Sequence, residues 1–192
     1  LFNKGILPVA VATAMFGAGV AQAVTIGEGG PESVTVSTNV TANYWVSNNG
    51  TLVINNNGGQ MQSFYGTIDG SNLSTSTNGS RADSARGNVT ITAANGLTLY
   101  GDVGATNGTG NMTLEAGSTL YLADNMTTFR TSNLTIGTGS TVYTGNNASQ
   151  GYNRASGDAL TMTSNITMRG SSTLNVGNGT TITGNIFGDS DG

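Results

Sequence analysis

The chain has no cysteine and no histidine among its 192 residues, only two prolines, and a single lysine. Without cysteine there is no disulfide framework and no thiolate metal site, so packing and backbone hydrogen bonds must hold the fold. Without histidine, Ser-His-Asp and Cys-His nucleophile systems and His-ligated metals are excluded. Charge is scarce as well: 8% of residues are charged, and apart from Lys4 the chain sets five Arg against ten Asp and Glu. A nucleic-acid footprint needs a basic patch, so nucleic acid is excluded as a partner. What remains is Gly, Thr, Asn and Ser, with Val, Ile and Leu in short alternating runs. A disordered chain lacks those β-branched and aliphatic residues. The composition therefore predicts folded β-structure rich in turns.

Long apolar runs are also missing. A membrane-spanning helix needs about 20 unbroken apolar residues, whereas the stretch from Ile6 to Val20 is shorter and interrupted by Pro8, Gly17 and Gly19. Lys4 precedes that stretch and "AQA" closes it, the three-part layout of a secretory signal. Residues 1–23 read as a signal helix cleaved after Ala23, and 24–192 as the exported region. The chain begins without methionine and stops at "GDSDG", so it reads as a piece of a longer one.

The dominant feature is internal repetition, which outranks local signals. "NVTITAANGLTLY" from Asn88, "NMTLEAGSTLYL" from Asn111, "NLTIGTGSTVY" from Asn133 and "NITMRGSSTLNV" from Asn165 align at spacings of 23, 22 and 32 residues. One position after the Asn stand Val89, Met112, Leu134 and Ile166; three after it, Ile91, Leu114, Ile136 and Met168. Leu97, Leu120, Val142 and Leu174 follow at nine, then Leu99, Leu122, Thr144 and Val176 at eleven. Such pairs two residues apart are strands with one buried face, and the Gly/Ser-rich text between them turns the chain. A unit of two short strands and a variable return cannot bury its own apolar face. Stacked copies can. The expectation is an all-β fold, a parallel β-solenoid with coils of about 22 residues. Asn at one place in successive coils is expected to stack its amides into a ladder, by the logic of stacked identical side chains. Residues 33–54 read as the first coils or a cap, 177–187 as a further coil, and 56–87 and 146–158 as polar insertions.

No chemistry emerges from the same text. Glycoside hydrolysis needs a carboxylate pair ~5–10 Å apart, yet Asp102, Glu115, Asp124 and Asp158 are thinly spread. Glu115 and Arg169 share an offset and are expected two coils apart, a solvated pair. "GDSDG" lacks the ligand spacing of a calcium loop. The twelve Asn-x-Ser/Thr sequons include the four opening Asn residues and read as structural. Thr-x-Thr pairs such as Thr90/Thr92 and Thr181/Thr183, the text of an ice-binding array, are absent from 111–126. No catalytic, cofactor-binding or metal-ligating residue is named, no cofactor is expected, and the chain reads as a non-enzyme.

The signal ending in "AQA", followed by "GSTLYLADN", "GSTVYTGNN" and "SSTLNVGNGTTITGNI", resembles the passenger region of bacterial autotransporters and related β-helical adhesins. The resemblance covers most of 88–187. It implies export, display at the bacterial outer membrane surface or outside the cell, and a role in adhesion, autoaggregation or biofilm. It also implies partners: glycans or proteins of host or neighbouring cells, copies of the chain itself, and the outer membrane through a C-terminal barrel not among these residues. A self-assembling extracellular fibre subunit and a carbohydrate-active β-helix enzyme are the alternatives, the second requiring carboxylates clustered in one groove.

Overall fold

The structure is a computed structural model and describes residues 24–27, 33–36, 39–47, 50–56, 58–70, 86–147, 152–153 and 158–189. The expected signal segment 1–23 lies outside these, as do residues 71–85 of the first expected insertion and most of the second. Among the described residues there are strands and no helix.

The strands fall into three ladders. The first runs through β2 (Ser33–Val36), β4 (Thr51–Asn55), β7 (Asn88–Thr92), β9 (Thr109–Leu114), β11 (Thr128–Ile136), β15 (Leu160–Arg169) and β18 (Ile186–Asp189). The second runs through β5 (Gln62–Phe64), β8 (Leu97–Leu99), β10 (Thr119–Leu122), β12 (Thr141–Tyr143) and β16 (Thr173–Asn175). The third starts with β1 (Val24–Ile26), β3 (Tyr44–Val46) and β6 (Ile68–Gly70). It continues through parallel bridges at Val103 into the first half of β11, then the first half of β15, and ends on β17 (Thr180–Thr183). All these pairs are parallel. The antiparallel pairings are β13 (Asn146–Asn147) with β14 (Tyr152–Asn153), inside the second insertion, and an isolated bridge between Ser47 and Arg86.

The chain visits ladder one, then two, then three, and each return pairs with the strand laid down one repeat earlier. Leu134 therefore lies between Met112 and Ile166, and Leu120 between Leu97 and Val142. The aliphatic columns read from the sequence are the inward faces of ladders one and two: Val89, Ile91, Leu97, Leu99, Met112, Leu114, Leu120, Leu122, Leu134, Ile136 and Val142 are all buried in one core. Burying each such side chain is worth ~1.5–3 kcal/mol. Thr144 stands in an aliphatic column yet is satisfied, because its hydroxyl accepts from the Gly177 N–H at 2.9 Å and meets the Thr180 hydroxyl at 2.9 Å.

The expected variable return carries a third strand position. Tyr44, Ile68, Val103, Phe129 and Met162 form an inward column there, all buried, with Ile182 half-buried at its end. A register shift between Arg130 and Asn133 marks the corner where β11 passes from ladder three to ladder one. Part of 56–87 belongs to the ladders too, since β5 and β6 lie within it and bury Phe64 and Ile68. Each of these strands contributes so few large apolar residues that the surrounding polar text conceals it.

The turns between ladders one and two repeat as well. Glu115–Ser118 and Gly137–Ser140 each close with an N–H to carbonyl bond, at 3.2 and 3.0 Å, and their third residues, Gly117 and Gly139, both have φ +70°. Glycine reaches that left-handed conformation without a Cβ penalty.

Candidate functional site

Corners are the weak points of such an arrangement, because strand pairing lapses there and backbone groups lose partners. Asparagine and aspartate fill the gap by accepting from the backbone of the next repeat. Asn39 Oδ1 accepts from Ser63 N at 2.8 Å, Asn43 Oδ1 from Thr67 N at 2.9 Å, and Asn88 Oδ1 from Asn111 N at 3.2 Å. Asp102 takes more: Thr127 N and Oγ1 donate to it at 2.8 and 3.0 Å, and Thr128 N at 3.0 Å. The amide-to-amide ladder exists at two steps, where Asn133 Nδ2 donates to Asn111 Oδ1 at 2.8 Å and Asn185 Nδ2 to Asn165 Oδ1 at 3.3 Å. A serine column lies inside the turns. Ser118 Oγ accepts from Ala93 N at 3.0 Å, and Ser140 Oγ accepts from Ser118 N at 3.1 Å while donating to the Glu115 carbonyl at 2.8 Å. The shared "GST" text was the available signal for these buried serines.

Asp102 is a corner brace. Glu115 and Asp158 are exposed, and Asp124 is half-buried in a turn. Glu115 and Arg169 stand two repeats apart, as their shared offset requires, with Gly137 between them. Arg169 Nε lies 3.6 Å from Asp189 Oδ2 instead, on neighbouring strands. Asp69 Oδ1 accepts from Thr106 N at 2.9 Å, Arg130 Nη2 donates to Thr106 O at 2.8 Å, and Arg86 Nη1 donates to Ser132 Oγ at 3.3 Å. Asp69 and Arg130 together pin the connection 104–108 at Thr106. Among the described residues no group of three His, Cys, Asp or Glu could hold a metal ion, and no helix there is long and apolar enough to cross a membrane.

The outward faces are regular. On ladder one, Asn88, Asn111, Asn133 and Asn165 form one exposed column, and Thr90, Thr113, Thr135 and Thr167 a half-buried one two residues along. Neighbouring strands are ~4.8 Å apart, so amides and hydroxyls recur at that interval with no charge between them. On ladder two the corresponding column carries Thr98 and Tyr121, both buried, and Tyr143, half-buried, the two tyrosine rings stacking at 5.0 Å and 8°. Beside it Tyr65 and Tyr100 stack at 4.7 Å and 15°. The ladder-one face can offer a series of identical weak contacts, and it is the candidate functional surface. Comparison with protein-family models, curated proteins and solved structures finds no match to the chain.

Proposed function

We propose that this chain is a parallel β-solenoid rod of an exported protein, displayed at the bacterial surface or released from it, which binds surfaces through its repetitive outer faces. The observation that carries the reading is the unbroken parallel register of ladder one, from Ser33 to Asp189, over one continuous core. Across β7, β9, β11 and β15 that register turns one short motif into a column of four equivalent Asn/Thr pairs. A single Asn/Thr pair gives negligible affinity, but many in line raise the effective concentration of each next contact. Glycans and proteins of neighbouring cells, or other copies of the rod, present matching amides and hydroxyls. Residues 1–23 serve in this reading as the export signal, and the autotransporter-like text between 88 and 187 as a passenger segment.

The test is surface display of the chain with Thr113→Lys and Thr135→Lys together, scored for cell–cell aggregation and for binding to immobilised glycans. Both positions face outward, so folding is expected to survive, as judged by an unchanged far-UV circular dichroism spectrum. Lost aggregation and binding support the reading; undiminished binding by the folded variant overturns it.

A further inference from the structure

We propose that Asn178, in the Gly177–Thr180 turn before β17, is a site of spontaneous succinimide formation. This inference is independent of the surface-binding reading. In the reaction the backbone nitrogen of the following residue attacks the Asn Cγ. An N–Cγ bond forms, the Cγ–Nδ2 bond breaks, and ammonia leaves with the proton given up by the backbone nitrogen. Water then opens the ring to aspartate or to isoaspartate, whose main chain is one methylene longer. A following glycine favours the attack because no Cβ hinders it, so sequence alone ranks every Asn-Gly step alike.

The structure separates the three such steps whose Asn and Gly are both described. At Asn95-Gly96 both reacting groups are held. Asn95 Nδ2 donates to the Gly58 carbonyl at 2.6 Å, and Gly96 N donates to the Ala93 carbonyl at 3.0 Å. At Asn107-Gly108 the backbone is anchored by Gly70 N donating to the Asn107 carbonyl at 2.7 Å, and Gly108 is buried against Arg86 and Arg130. At Asn178-Gly179 both residues are exposed. The turn is closed by Thr180 N donating to Gly177 O at 3.3 Å, and Leu160 N donates to the Gly179 carbonyl at 3.1 Å. The backbone is anchored here too, but neither bond engages the Asn178 amide or the Gly179 N–H. The Asn178 amide and the Gly179 N–H are thus left to approach each other. Ring opening would place a negative charge, and in isoaspartate an added main-chain methylene as well, just before β17.

The experiment incubates the whole protein, native, at mildly alkaline pH and follows each Asn-Gly peptide by mass spectrometry with isoaspartate detection. Releasing two hydrogen bonds first should slow Asn95 roughly tenfold or more relative to Asn178. In protein unfolded with guanidinium the three rates should converge. Asn178→Gln should remove conversion at that position and leave the Asn95 rate unchanged. Native conversion at Asn95 or Asn107 as fast as at Asn178 would overturn the assignment, as would a ratio that survives unfolding.

Discussion

Leu134 and Ile186 occupy the same inward column of ladder one, separated by Ile166 alone. Leu134 is fully buried and Ile186 is 53% exposed. Their chemistry and backbone are alike; the difference is that, among the described residues, Leu134 has a repeat on each side. Leu174, Ile182 and Val176 show the same loss of cover relative to Leu120, Met162 and Leu99. Burial at these positions therefore needs a neighbouring repeat as well as the facing strands of the same repeat. Stability is expected to follow nearest-neighbour interfaces, so that a residue's worth depends on its place in the stack.

The largest test of that contrast is a charge placed in the column. Leu134→Asp should abolish cooperative folding, because an unpaired carboxylate buried among aliphatic side chains costs several kcal/mol. Ile186→Asp should change stability by less than ~1 kcal/mol. Denaturant midpoints followed by far-UV circular dichroism compare the two, and equal losses would contradict interface-made burial. Next comes ladder three. Phe129→Ala, deep in the stack, should cost ~3–5 kcal/mol, whereas the half-buried Ile182 should lose clearly less on truncation to Ala. The corners follow the same order. Asp102→Ala strips three donors of their acceptor and should cost ~1–3 kcal/mol. Asn165→Ala, where Asn185 bonds at 3.3 Å on an exposed corner, should cost less.

The smallest effect is a pH dependence. Burial raises the Tyr44 phenol above its usual value. A raised folded pKa means that the neutral form is favoured in the fold. Its contribution is whole below the ordinary phenol pKa of about 10 and is lost as pH rises through the higher folded value. Alkaline melts of the Tyr44→Phe variant should lack that part of the decline.

How much could be read in advance follows from the same geometry. Ladders one and two were legible because Val89, Met112, Leu134 and Ile166 stand at a constant offset from Asn, and their partners follow at period two. Ladder three was not. Val103, Phe129, Met162 and Ile182 stand 15, 18, 29 and 17 residues after Asn88, Asn111, Asn133 and Asn165. Connections of unequal length destroy a linear offset while leaving the spatial column intact. The Asn at the repeat start was expected to stack amide on amide, and does so at two steps. Its other task, accepting from the next repeat's backbone at Asn88 and Asn165, depends on corner geometry that spacing does not encode. The outward Thr column was implicit in the "N-x-T" text, but only strand register shows that Thr113 and Thr135 are neighbours.

Register is also the most direct point of attack, and a chain without cysteine makes the test clean. Thr113 and Thr135 pair on adjacent parallel strands, while Thr113 and Thr167 are two strands apart. Strands ~4.8 Å apart fall inside the Cα separation a disulfide spans, and ~9.6 Å falls outside it. Under mild oxidation the T113C/T135C variant should close an intrachain disulfide readily and the T113C/T167C variant should not. Equal closure in both, or closure in T113C/T167C alone, would contradict the stacked parallel ladder.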